Sequence, residues 1–414
     1  MSQYEIGTSD GPSMSTGPNY GPGALRERLI ELRRALHMHP ELSGEEQETA
    51  GIIAARLRAL GLRTETGIGG YGVVGVLDSN RPGPTIAYRA DMDALPMEET
   101  LGQPYASMRS GVSHACGHDV HVTIALGLAE LLSRSTEHLR GRVVFVFQPA
   151  EESLDGARAM LDAGLFQSYS PDMMLALHAF PVPVGTMGVA MAACLAGMEE
   201  FRVRLYTPAG NLQGLIAHVI RNLEALSTAA VPTEAQRFGQ IVQRMREGDP
   251  ELGRTIFVSS WPYVSGDTSH THVLGLVSMA DFSIRPETHV RIEQALDRCT
   301  ASFGATYDVD YTFSNPPLRN DGALIDRIIP AVEQALGSSA VLRFRAPYPF
   351  AHEDFAHYAE RVPAAFLWLG TQNLEKGIPS ILHTPDYDVD EDALITGVIV
   401  MSAVVRRLME TPHR

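Results

Sequence analysis

The chain has 414 residues, 44% of them hydrophobic and 20% charged, which is enough for one large core and a second, smaller domain. Lys and Arg total 33 against 49 Asp and Glu, a net charge of -16 with no basic run or basic-aromatic stripe, so nucleic acid is excluded as an expected partner. Cys116, Cys194 and Cys299 are too few for a disulfide framework and suit a reducing, cytoplasmic compartment, while the absence of any long uninterrupted apolar window excludes a membrane span.

Residues 1–23 are rich in Gly, Ser, Pro and Thr without an apolar core, and read as a disordered arm rather than a signal peptide or anchor. Leu25, Leu29, Leu32 and Leu36 then recur at helical spacing, and a second helix carrying Ile52, Ile53, Leu57 and Leu60 stops at Gly61. Apolar runs at 73–77, 85–88, 143–147 and 173–177 alternate with helical patterns, including one over 123–132. That alternation predicts an α/β domain whose mostly parallel sheet is flanked by helices. Asp91 and Asp93, Glu151 and Glu152, and His178 each follow such a run, where ligands gather in open α/β sheets.

Between 199 and 311 the pattern changes to a strand (201–206), a helix (212–226), a strand (273–284) and a helix (290–303). This predicts a smaller α+β unit inserted into the larger domain, which would comprise 24–198 and 312–414. The last third resumes with an apolar run at 364–369 and a helix over 391–409, and no internal repeat appears.

The chemistry concentrates in His114-Ala115-Cys116-Gly117-His118-Asp119, where a thiol and an imidazole two residues apart stand beside a carboxylate. With Glu151-Glu152, His178 and His383, the chain offers the acids, imidazoles and thiol that a two-metal hydrolytic site requires. Either zinc or manganese suits such a mixed donor set. Cys116 alone could instead be a nucleophile activated by a neighbouring histidine, a reading that leaves Glu151, Glu152 and His383 without a task.

Five ordered segments resemble the M20 family of metallopeptidases, aminoacylases and amidohydrolases, in particular its branch of hippurate and auxin-conjugate hydrolases. They are Leu36 to Ser43, Arg89 to Pro96, His114 to His121, Gln148 to Glu152, and Leu382 to Pro385 followed by Asp390 to Leu394. The resemblance implies that Cys116, His118, Glu152, His178 and His383 bind two divalent metals, with Glu151 as general acid and base. It further implies that Asp93 orients a ligating histidine, and that the inserted unit is a ferredoxin-like lid that pairs subunits into dimers. The implied reaction is hydrolysis of an N-acyl amino acid or a related amide. A dipeptidase or carboxypeptidase of the same fold, or a silent relative remodelled for binding, are the alternatives. His37 and His39 also match and are read as structural, and His121 as packing or hydrogen-bonding.

The resemblance weakens in the insert. Family members carry a glycine- and histidine-rich loop after its first strand, whereas here Arg204-Leu205-Tyr206 leads through Thr207 to Asn211 straight into a helix. His270 or His272 is the expected substitute for the missing donor, and Arg285 is the expected receiver of a substrate carboxylate. A second departure is Ala351-His352, where the family has small residues before Glu-Asp-Phe; His352 is expected either to narrow the pocket or to face solvent.

Overall fold

A computed structural model describes residues 22–207, 212–263 and 271–410. The expected N-terminal arm lies, but for its last two residues, outside the described residues. The chain opens with helices α1 (Pro22–His37) and α2 (Gln47–Ala59). Strands β1 (Arg63–Ile68), β2 (Gly72–Asp78) and β3 (Thr85–Asp91) follow, then α3 (His118–Ser133) and β4 (Arg142–Gln148). Next come α4 (Gly156–Asp162), α5 (Leu165–Tyr169), β5 (Met173–Pro183) and β6 (Met187–Ala190).

After a short strand β7 (Ala193–Leu195), a second unit runs β8 (Gly197–Tyr206), α6 (Leu212–Glu224), α7 (Ala235–Glu247), α8 (Pro250–Gly253), β9 (Ile256–Tyr263), β10 (Thr271–Met279), α9 (Arg285–Ala301) and β11 (Thr306–Asn315). The chain then returns through β12 (Leu318–Arg319), which pairs with β7, to α10 (Gly322–Leu336), β13 (Val341–Phe344), α11 (Ala356–Ala359), β14 (Ala364–Gln372) and α12 (Asp392–Glu410).

The large sheet has eight strands in the order β1-β2-β4-β3-β5-β14-β6-β13. Its centre, β4-β3-β5-β14, is parallel, as the alternating pattern predicts, whereas the pairs β1–β2, β2–β4 and β14–β6 are antiparallel. With β13–β6 also parallel, four of the seven strand pairs are parallel, so the sheet is mostly parallel as expected while being mixed, since the hairpin at Gly69-Gly70 turns β1 directly back onto β2. Both faces are covered, and the strands show how: Val143, Phe145 and Phe147 of β4 join one core with Leu29, Leu32 and Leu36 of α1, while Val144 and Val146 join the other with Met160 of α4.

The second unit is β-α-β-β-α-β with strand order β11-β8-β10-β9, all antiparallel and ferredoxin-like. α6 and α9 cover one face around Phe201, Val219, Leu223 and Leu296. The expected insert, 199–311, begins and ends inside the first and last of these strands. The strand expected over 273–284 stops at Met279, since Asp281 accepts from Ser283 N–H in a one-turn cap, and α9 starts at Arg285 with Pro286 in its first turn, not at 290.

α7 belongs to the insert in sequence and to the large domain in packing. Its Phe238 and Met245 lie in the same core as Phe180, Tyr348 and Trp368, and Met245 C=O accepts from Arg345 and Ala346 N–H. Among the described residues no helix is long and apolar enough to cross a membrane.

Candidate metal and catalytic site

Three central strands deliver the site, β3 and β4 at their carboxyl ends and β5 from mid-strand, so His178 lies within its strand rather than just past it as expected. β3 ends in Asp91, with Asp93 two residues on; β4 ends in Gln148, with Glu151 and Glu152 in the turn that follows; β5 carries His178, paired in register with Trp368 of β14. Gly117 starts α3 at φ +84°, where a Cβ would meet Tyr387 Oη at 2.5 Å, so only glycine lets Cys116 and His118 turn into one pocket. Ala150 (φ +53°) and His383 (φ +58°) hold left-handed conformations that non-glycine residues adopt at a cost of roughly 1–3 kcal/mol. The first is fixed by Glu46, which accepts from Ala150 N–H; the second by Ala115 C=O, which accepts from His383 N–H.

Cys116 Sγ is central, 3.2 Å from His383 Nε2 and 3.6 Å from His178 Nε2. Glu152 Oε1 lies 3.7 Å from both His118 Nε2 and His383 Nε2. His118 Nε2 and Glu152 Oε1 are buried without a hydrogen-bond partner among the described residues. Such spacings suit ligand atoms about 2.0–2.3 Å from a shared ion, and orphaned buried polar atoms are what a bound cation would satisfy.

Hydrogen bonds on the far side of each ring set the imidazoles. Asp93 Oδ1 accepts from His118 Nδ1 at 3.1 Å, while its Oδ2 accepts from Ser43 Oγ and Glu152 N–H, so one carboxylate joins α3 to the Glu151-Glu152 turn. His178 Nδ1 donates to Ala179 C=O at 2.8 Å, leaving Nε2 toward Cys116. His121 differs: Nε2 accepts from Ala179 N–H at 2.8 Å and Nδ1 donates to Asp91 at 2.5 Å, so both nitrogens are used. His37 is likewise committed, to Asp119 and Glu99 on α3 and the loop before it, and His39 is exposed.

Charge is concentrated to match. Burial disfavours protonation of His118, but Asp91, Asp93 and Glu152 outweigh it and raise the imidazole to about 10, the mark of a place that attracts cations. Glu151 is pushed well above the usual carboxylate range by burial first, then by Glu353, Glu152 and Asp354. Glu353 and Asp354 belong to a cluster that sequence reasoning missed, in which Arg89 binds Asp91, Glu353, Asp354 and Gln148 at 2.5–3.0 Å, all buried. The available signal was an arginine in the middle of a fully buried strand, β3, two residues before Asp91.

A cavity of about 460 Å³ opens on Cys116, Glu151, Glu152, His178 and His383, with Phe180, Phe238, Trp368 and Met198 among its apolar walls. His352 lines it too. Of the expected substrate residues, His270 lies outside the described residues. His272 shares a face of β10 with Leu276, which reaches the cavity, but stands four residues further out and stacks on Tyr263. Arg285 is engaged by Glu199 at 3.1 Å and lies over the Phe282 ring, away from the cavity wall.

A buried thiol, imidazoles and carboxylates around one cavity at the switch point of an α/β sheet define a metal-dependent hydrolase. The chain belongs to peptidase family M20/M25/M40, whose model matches residues 87–407. It is 37% identical to a probable hydrolase of Synechocystis sp., over 91% of this chain and 95% of that one. It is 31% identical to the N-acetyl-L-cysteine deacetylase of Bacillus subtilis, over 94% and 89% of the two. Among solved structures, the YXEP protein of Bacillus subtilis, a dinuclear metal-binding peptidase from the M20 family, superposes with a TM-score of 0.73 at 28% identity, covering 94% of this chain and all of that one.

Proposed function

We propose that the chain hydrolyses the amide bond of an N-acyl amino acid, using two divalent ions held by Cys116, His118, Glu152, His178 and His383, with Glu151 as the proton carrier. The observation that carries this reading is the meeting of unpartnered His118 Nε2 and Glu152 Oε1 beside Cys116, with Glu151 buried at the same cavity wall. Ions in that place, zinc or manganese by their donors, supply Lewis acidity that lowers the pKa of a water to about 7.

The protein's own groups do the rest. Glu151, raised above the usual carboxylate range by burial and then by Glu353, Glu152 and Asp354, would accept a proton from the attacking water when cations beside it offset that rise, and return it to the leaving amine. Asp93 keeps His118 Nε2 aimed at the site. The apolar walls exclude water and receive the acyl group, in keeping with the deacetylase relative. Burial and the two glutamates push the Cys116 thiol well up, which argues against an activated nucleophile there in the absence of a cation. The three free cysteines suit a cytoplasmic setting, and the open edges of the small sheet at β9 and β11 suit pairing of two copies.

The test is amine release, followed by mass spectrometry, from a panel of N-acyl amino acids and dipeptides, with zinc- or manganese-loaded protein beside its chelated form. Cleavage of N-acyl amino acids that chelation abolishes supports the reading. Cleavage of dipeptides alone would move the assignment to a dipeptidase, and no cleavage by loaded protein would defeat it.

A further inference from the structure

The sequence of the inserted unit departs from the histidine-bearing loop through which family members steady the reacting carbonyl; of the residues expected to replace it, His270 lies outside the described residues and His272 does not reach the cavity. His272 stands on β10 four residues beyond Leu276, roughly 13 Å at about 3.3 Å per residue, and stacks on Tyr263. Among the described residues that line the cavity is an imidazole that neither the proposed ligand set nor the proton carrier uses. His352 lines it together with Cys116, Glu151, Glu152 and His383.

Its position is fixed from two sides. The next two residues, Glu353 and Asp354, are clamped by buried Arg89 at 2.8 and 3.0 Å, which pins the backbone of the loop. The ring is held by Ser278, buried on β10 of the small domain, whose Oγ lies 2.6 Å from Nε2. Ser278 has no other side-chain partner among the described residues, and its hydroxyl can donate to Nε2. In that arrangement Nδ1 carries the proton and, having no partner among the described residues, is the ring nitrogen free to meet a ligand.

We propose that His352 Nδ1–H is the side-chain donor to the scissile carbonyl oxygen as it gains negative charge, with Ser278 as the positioning residue that fixes the tautomer. This rests on the amide-hydrolase reading of the same cavity. The donor would come from the large domain rather than from the insert, and the bulk at 352, where family members have a small residue, is then the compensation for the missing loop.

Steady-state kinetics of the metal-loaded wild type, His352→Ala, His352→Gln, Ser278→Ala and the Ala-Ala double variant test this. The substrate is whichever N-acyl amino acid the wild type cleaves fastest, and the ion content of each variant is measured alongside. The expected result is a fall in kcat of about 10²–10³ for His352→Ala with KM little changed, and partial recovery in His352→Gln, whose amide can donate. Ser278→Ala should lose roughly tenfold, and the double variant should be no worse than His352→Ala, since Ser278 acts only through the ring.

The proposal is overturned if His352→Ala keeps kcat within threefold, if only KM rises, as loss of a substrate-carboxylate contact would make it do, or if its loss follows lost metal. It is also overturned if Ser278→Ala costs as much in the His352→Ala background as alone. Should His352→Ala fail to fold, His352→Gln and Ser278→Ala carry the same comparison. A wild type that cleaves nothing defeats the underlying reading together with the donor; an active wild type matched by an equally active His352→Ala defeats the donor alone.

Discussion

His118 Nε2 and Glu152 Oε1 face each other across 3.7 Å, both buried and neither hydrogen-bonded among the described residues. Two polar atoms left in that state cost about 1–3 kcal/mol each unless a third group satisfies them. Glu152→Gln removes the charged member while leaving the volume unchanged. The variant is expected to stay folded but to hold fewer than two ions per chain by elemental analysis; two ions retained at wild-type affinity would contradict the pairing.

Glu151 stands beside this pair without being needed to hold it. Glu151→Gln is therefore expected to keep both ions and lose about 10²–10⁴ in kcat, the usual worth of a positioned proton carrier. Equal loss of metal and rate would instead make Glu151 a ligand.

Much of this site was legible in the sequence because its groups are local. Cys116 and His118 are two residues apart, and Glu151 and Glu152 are adjacent and follow the apolar run that forms β4. The Arg89 cluster was not legible. Arg89 and Glu353 are 264 residues apart and meet only because the sheet places β3 near the loop before α11. The same holds for His352 and Ser278, 74 residues apart in different domains. β11 was hidden by its own exposure, with Thr306, Asp308, Asp310 and Thr312 outward, and α7 by having only a narrow apolar stripe around Phe238 and Met245 in a largely polar sequence.

Asp93 touches no other group of the proposed ion site than His118 and the Glu152 backbone, yet it sets the direction of both. Asp93→Ala should weaken metal binding about 10–100-fold in a competition titration with a chromogenic chelator. An unchanged affinity would reduce Asp93 to a turn cap.

The edge of the cavity formed by α7 should control the acyl group. Phe238 packs against Phe180 at 5.1 Å and Tyr348 at 5.5 Å between ring centres and closes one wall. Phe238→Ala is expected to raise the ratio of kcat/KM for long or bulky acyl groups over acetyl by roughly tenfold or more, at about 1–3 kcal/mol per group accommodated. It should also lower the melting temperature, as loss of a buried ring does. An unaltered acyl ratio would place the acyl group elsewhere.

Away from the site, His357 gives stability a dependence on pH. Burial, then Arg158 and Arg361, hold its imidazole down to about 4, and Arg158 lies 3.4 Å from its Nε2. The unfolded chain takes up that proton near 6.5, so this contribution is complete above 6.5 and is lost as pH falls toward 4. After allowance for solvent screening it amounts to on the order of 1 kcal/mol. Melting curves of wild type and His357→Gln between pH 4 and 7 should converge toward the acid end; parallel curves would contradict it.

The most direct test of the account is amine release measured while zinc or manganese is added stepwise to the chelated protein, with an N-acyl amino acid as substrate. Activity that is absent from the chelated chain and rises to a plateau at two ions per chain is the predicted result. Hydrolysis that survives chelation, or a fully loaded chain that releases no amine, would contradict it.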